Sequence, residues 1–209
     1  MTDTIGKFKI IPVIKIDDAN NAVPLAKALS DGGLPIAEVT FRTAAAEESI
    51  KQISQNFPDM LVGAGTVLTI EQAEKAKDAG AKFLVSPGFN PKVVKWAIDN
   101  NISIFPGCIT PTEIEAALEM GLTTLKFFPA QQAGGLAMIK ALCAPYTTVK
   151  FIPTGGIDLS NLAEYLSFPK VIACGGSFMV KDELIKNSEW RKITELTQAA
   201  VKRRILNDS

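Results

Sequence analysis

The sequence contains no histidine. That absence excludes every imidazole-based triad, every imidazole general base and the metal sites that depend on imidazole ligands. Acid–base chemistry is left to Glu, Asp, Lys, Tyr, Cys or water. Cysteine is scarce. Cys108, Cys143 and Cys174 stand far apart and form no CxxC pair, so neither a zinc motif nor a redox motif is supported. Sparse, unpaired thiols fit a reducing cytoplasm, and residues 1–9 are polar and lack the hydrophobic region of a signal peptide. The apolar run at 10–16 is interrupted by Pro12 and Lys15 and is far too short to span a bilayer. An excess charge of either sign is also missing, since 22 Lys+Arg balance 22 Asp+Glu. No overall field therefore attracts nucleic acid or an anionic membrane. The small basic cluster Lys202-Arg203-Arg204 reads as a solvated helix end favoured by the helix dipole.

What is present is a repeating texture. The chain has 209 residues, 47% of them apolar, which is enough for the core of one domain spanning 1–209. Short β-branched or aromatic runs recur at 10–16, 36–41, 60–63, 83–85, 103–105, 123–128, 150–152 and 171–173. Longer stretches with helical spacing lie between them, such as Val23, Ala26, Leu29 and Val93, Val94, Ala97, Ile98. The alternation predicts βα units around a parallel sheet, with strands covered on both faces. Eight runs in this length give about 26 residues per unit, at the low end for a (β/α)8 TIM barrel. An open doubly wound sheet is the competing architecture. Closure is favoured because Gly, Pro, Ser and Thr cluster after the strands, where barrel active sites are built. Helix starts follow these clusters. Thr110-Pro111-Thr112-Glu113 reads as a capping box with proline in the first turn, and Asp158 and Ser160 as caps of the helix after the seventh strand.

Three features suggest chemistry. Lys126 sits inside the apolar run Thr123-Thr124-Leu125-Lys126-Phe127-Phe128-Pro129. Loss of hydration there favours the neutral amine, a nucleophile able to form a Schiff base with a ketone. The competing reading is an ammonium that snorkels or pairs with a core carboxylate. In Glu38-Val39-Thr40-Phe41-Arg42-Thr43, strand alternation puts Glu38, Thr40 and Arg42 on one face. That face suits proton transfer by Glu38 and a bidentate grip on a carboxylate by Arg42, or else a structural ion pair. Finally, Thr154-Gly155-Gly156 and Gly175-Gly176-Ser177 follow the last two strands. Glycines there let backbone N–H groups approach an anion, and barrels often bind phosphate after strands seven and eight; tight βα turns are the alternative. Gly63-Ala64-Gly65-Thr66 does not continue as GxGxxG, so no dinucleotide fingerprint is present.

These strings occur in order with Gly63-Ala64-Gly65-Thr66-Val67-Leu68, Val85-Ser86-Pro87-Gly88, Pro106-Gly107, Leu125-Lys126-Phe127-Phe128-Pro129-Ala130 and Pro153-Thr154-Gly155-Gly156-Ile157. Together they resemble the 2-keto-3-deoxy-6-phosphogluconate (KDPG) and 4-hydroxy-2-oxoglutarate (KHG) aldolase family. The resemblance implies a class I, metal-free and cofactor-free lyase on a (β/α)8 barrel, usually a homotrimer, acting on a keto-acid sugar phosphate. It implies Lys126 as the Schiff-base lysine and Glu38 as the general acid/base. Arg42 and Thr66 correspond to residues beside the pyruvyl carboxylate, and Pro87 and Phe128 to apolar pocket walls. Thr154, Gly155, Gly156, Gly176 and Ser177 fall on the phosphate-side loops. Gln131-Gln132 and Phe178 depart from common versions of the family, and these departures bear on the aldehyde half of the substrate. Two other readings remain: a non-covalent sugar-phosphate isomerase or epimerase, and a non-catalytic phosphometabolite-binding protein. The metal-free expectation is directly testable. Activity should survive EDTA, whereas dependence on an added divalent metal would assign class II chemistry.

Overall fold

Eight short parallel strands form a ring, each followed by helix or loop. The computed structural model describes residues 1–205, apart from the side chains of Arg204 and Ile205. The strands are β1 (Ile10–Ile14), β2 (Ile36–Thr40), β3 (Leu61–Gly65), β4 (Phe83–Ser86), β5 (Ser103–Pro106), β6 (Thr124–Phe127), β7 (Lys150–Pro153) and β8 (Cys174–Gly176). The helices are α1 (Thr2–Phe8), α2 (Ala22–Asp31), α3 (Ala46–Asn56), α4 (Ile70–Asp78), α5 (Pro91–Asp99), α6 (Pro111–Glu119), α7 (Gly135–Cys143), α8 (Leu162–Leu166), α9 (Asp182–Lys186) and α10 (Trp190–Ile205). Six strands run in the order β5-β4-β3-β2-β1-β8, and β6 pairs with β7. Single parallel bridges, Gly107 with Lys126 and Thr154 with Gly175, join the two sheets on both sides. The ring therefore closes, as a (β/α)8 barrel requires.

Local chemistry explains the helix starts. Thr110 and Glu113 form the expected capping box at α6, with Pro111 in its first turn. The Thr69 side chain caps α4 by accepting from the Gln72 N–H, and the Asn90 side chain caps α5 by accepting from the Lys92 N–H. The predicted capping of α8 is not observed. Asp158 instead accepts from the backbone N–H of Ser160 and closes a turn ahead of the helix, and Asn161 stands at the N-cap without a side-chain cap bond. The polar N-terminus forms α1, which buries Ile5 completely and brings Thr2 to 3.3 Å from Thr124 at the start of β6. This helix covers the N-terminal end of the barrel, a role its composition does not advertise. Lys202 and Arg203 are exposed on α10, as a solvated helix end requires; the Arg204 side chain lies outside the described residues.

Most strands end within a residue or two of the apolar runs, and two others differ for one shared reason. β3 extends through Gly65 and β8 comprises Cys174–Gly176, whereas the apolar runs predicted 60–63 and 171–173. Val171 contributes only an isolated bridge to Phe151. Glycine reads as a turn signal, but here it continues strands whose inward side has no room for a side chain. A Cβ on Gly63 would lie 2.4 Å from the Phe83 ring, one on Gly65 2.2 Å from Glu38 Oε1, and one on Gly175 2.4 Å from Thr154 Oγ1. Neighbouring strands fill the volume that β3 leaves. Phe83 is fully buried and meets Phe105 edge-on at 6.1 Å between ring centroids. With that neighbour behind it, the Phe83 ring has little space to retreat. Gly63→Ala should therefore overpack the interior and destabilise the fold by about 1–3 kcal/mol, read as a lower urea midpoint with an unchanged slope.

Candidate active site

The strand C-termini surround a cavity of about 370 Å³. Every site candidate from the sequence lines it: Glu38, Arg42, Thr66, Pro87, Lys126, Phe128, Thr154, Gly155, Gly156, Gly176 and Ser177. Val13, Thr40, Ile157 and Gly175 line it as well. Neither Val13, within the first apolar run, nor Ile157, at the end of the string after the seventh strand, stands out as a site residue in the sequence. Gly175 was visible only as half of a glycine pair, and Thr40 only as a hydroxyl on a shared face.

The cavity is built around one pair. Lys126 on β6 is 5% exposed and Glu38 on β2 is 2% exposed. Lys126 Nζ lies 3.5 Å from Glu38 Oε1. The groups come from opposite arcs of the ring, 88 residues apart in sequence, and the pleat of each strand turns them inward. Lys126 Nζ also lies 5.1 Å from the centroid of the Phe128 ring, within cation–π range. The backbone behind the lysine is tied down: the Cys108 N–H donates to the Lys126 carbonyl at 2.9 Å.

Arg42 departs from the simple alternation argument. β2 ends at Thr40, so Arg42 stands in the following turn. The pleat therefore does not aim its side chain. Its Nε donates instead to Thr40 Oγ1 at 3.0 Å, and the Thr40 hydroxyl donates to the Ile14 carbonyl at 2.7 Å. Thr66 follows β3 directly with φ 56°. A β-branched residue rarely occupies the left-handed region, and doing so costs about 1–3 kcal/mol. The turn brings Thr66 to the cavity wall. Ser86 Oγ donates to the Gly88 carbonyl at 2.8 Å and shapes the loop that carries Pro87.

The far wall is made by the loops after β6, β7 and β8. Gly155 and Gly156 have φ of 101° and 74°, which glycine adopts without penalty. The N–H groups of Ala130 and Gln131 donate to the Thr154 and Gly155 carbonyls at 2.8 and 3.1 Å. Asn161 Nδ2 donates to the Gly156 carbonyl at 2.8 Å. The Thr154 hydroxyl is buried without a hydrogen-bond partner. The three cysteines are free and buried, and burial pushes the Cys108 thiol up to about 12. Among the described residues there is no group of three or more His, Cys, Asp or Glu placed to hold a metal ion.

A primary amine, a carboxylate at hydrogen-bonding distance and a nearby guanidinium, gathered at the C-terminal mouth of a barrel, define a class of site suited to covalent chemistry on a carbonyl acid. Comparison with known proteins agrees. Residues 1–196 match the family described as KDPG and KHG aldolase. The 2-dehydro-3-deoxy-phosphogluconate aldolase of Treponema pallidum is 51% identical, with 94% of this chain and 93% of the relative covered. Its counterpart in Haemophilus influenzae is 47% identical, over 95% and 94%. A KDPG aldolase of Legionella pneumophila, solved with pyruvate captured at low pH as a covalent carbinolamine, is 42% identical and superposes with a TM-score of 0.92, covering 95% and 97%. The chain belongs to the KDPG and KHG aldolase family.

Gly65 offers a test of how the carboxylate is held. Its backbone is not in the left-handed region, so the conflict of an added methyl is with Glu38 itself. Gly65→Ala should displace the carboxylate from Lys126 and lower kcat at least tenfold, because ångström-scale misplacement of a reacting group can cost roughly 10²-fold. Steady-state kinetics with circular dichroism as the fold control would check this.

Proposed function

We propose that the protein is a class I aldolase that cleaves KDPG to pyruvate and glyceraldehyde 3-phosphate. KHG, which would yield pyruvate and glyoxylate, shares the pyruvyl half and is the second candidate substrate. The observation that carries this reading is the buried Lys126–Glu38 contact at 3.5 Å inside the cavity.

In the proposed mechanism, the unprotonated amine of Lys126 attacks the C2 ketone. The carbinolamine loses water and becomes a protonated imine. Glu38 serves as the proton carrier for both steps. It then removes the proton of the C4 hydroxyl, directly or through water. The C3–C4 bond breaks, its electron pair flows into the iminium, and an aldehyde leaves behind the enamine of pyruvate. Protonation at C3 regenerates the iminium, and water hydrolyses it to pyruvate and the free lysine. One carboxylate can serve throughout because it alternately accepts and returns a proton. Arg42 and Thr66 hold the C1 carboxylate, with the guanidinium giving a charge-assisted grip. Pro87 and Phe128 supply apolar walls. Thr154, Gly155, Gly156, Gly176 and Ser177 receive the distal phosphate through backbone and hydroxyl groups.

The captured carbinolamine of the Legionella relative supports the covalent route. A non-covalent isomerase gives no reason for a buried lysine against a carboxylate, and a chemically silent binding protein gives none for the full set of lysine, carboxylate and guanidinium. The family resemblance is what supports a homotrimer. The cytoplasmic location rests on the sparse, unpaired and buried thiols. Among the described residues, no helix is long and apolar enough to cross a membrane.

Borohydride added with pyruvate should fix a pyruvyl adduct on Lys126, detected by peptide mass spectrometry. Lys126→Ala should lose the adduct and cleavage together while staying folded. Glu38→Gln should depress kcat by about 10²–10⁴-fold and leave pyruvate binding much less affected. An unmodified Lys126 in the wild type would end the covalent mechanism.

A further inference from the structure

We propose that Thr40 is a positioning residue that selects which edge of the Arg42 guanidinium meets the substrate carboxylate. The inference rests on the aldolase reading above, in which Arg42 grips that carboxylate.

Arg42 lies beyond the end of β2, so strand geometry does not direct it. The contact that does is Arg42 Nε donating to Thr40 Oγ1 at 3.0 Å. Thr40 is 2% exposed, and its oxygen is an oriented acceptor. A hydroxyl has one proton, and Thr40 donates it to the Ile14 carbonyl on β1 at 2.7 Å. Only lone pairs remain for the guanidinium, so the Thr40 oxygen cannot turn round and become a donor without giving up the Ile14 bond. A guanidinium can meet a carboxylate through Nε and one terminal nitrogen, or through both terminal nitrogens. The first edge is occupied by Thr40. The second is left for the ligand.

The chain Ile14 carbonyl, Thr40 hydroxyl, Arg42 Nε thus runs from a barrel strand to a loop residue. It references the carboxylate grip to the same strand that holds Glu38. Alternate residues along a strand are about 6.6 Å apart, so Glu38 and Thr40 form a short ruler between the proton carrier and the carboxylate anchor. A methyl-bearing hydroxyl suits the position because the methyl can be buried while the oxygen does the orienting.

The test compares wild type, Thr40→Val, Thr40→Ser and Arg42→Lys, with the double variant Thr40→Val/Arg42→Lys. Two readouts are needed: steady-state cleavage of KDPG, and the pyruvate concentration giving half-maximal borohydride trapping on Lys126. Acetone, a ketone without a carboxylate, serves as the control probe. For Thr40→Val the expected result is a rise of about tenfold in KM and in half-saturating pyruvate, with kcat changed less than threefold and acetone trapping unchanged, the pattern of a lost binding contact. Thr40→Ser should return both values to within about twofold of wild type. In the Arg42→Lys background, which has no Nε, adding Thr40→Val should have no further effect on pyruvate. Thr40→Ala is the second hydroxyl-free variant should the valine not fold. The proposal is overturned if the hydroxyl-free variant binds pyruvate like wild type, if it loses acetone and pyruvate trapping equally, or if its effect persists undiminished beside Arg42→Lys. Failure of the wild type to trap pyruvate at all would instead overturn the aldolase reading on which the proposal stands.

Discussion

An amine and a carboxylate taken out of water together set the terms for the rest of the molecule. Each alone would be expensive to bury, and their attraction offsets that cost only when the contact is close and the surroundings are shaped for it. The barrel supplies the shape. β6 delivers Lys126 and β2 delivers Glu38 to the same depth, and the closed ring prevents either strand from sliding. Gly65 leaves the space into which the Glu38 carboxylate fits. The Phe128 ring stands on another side of the amine.

The same constraint divides the cavity wall. On one arc, β2 and the turn after β3 bring Glu38, Arg42 and Thr66, each held by a specific device: a glycine-lined slot, a threonine hydrogen bond and a strained backbone. On the other, the loops after β6 and β7 are stitched to one another through main-chain bonds, with Asn161 bracing the Gly156 carbonyl. On the proposed reading, the first arc together with Lys126 of β6 handles the pyruvyl half of the substrate, and the loops of the second arc handle the remainder. On that reading Glu38 and Lys126 need ångström precision, because bonds change between them. The second arc needs only donors and room.

Much of this was legible in the sequence, because the chemistry is concentrated in residues that have no reason to be where they are. A lysine in an apolar strand and a Glu-x-Thr-x-Arg string are conspicuous, and both proved to line the cavity. The strand–helix alternation predicted the barrel, since period and punctuation repeat along the chain. What escaped did so for definable reasons. Val13 and Ile157 have side chains indistinguishable from core residues until the ring closes. The glycines hide the end of β3 and the position of β8, because local propensity treats glycine as a breaker while tertiary packing demands it. Ile98 has helical spacing with the buried Val94 and Ala97, yet it is 40% exposed. The direction of Arg42 was inferred from a pleat that stops two residues too soon, and its actual cause is a side-chain bond no periodicity reveals.

The separation of the two arcs has an evolutionary corollary. On the proposed reading, substitutions in the stitched loops would reshape the receptacle for the departing aldehyde while Glu38 on β2 and Lys126 on β6 keep their places. On that reading, related chains that prefer sugar acids of different length or charge would differ first at Gln131 and Phe178, which stand beside Gly156 and Gly176.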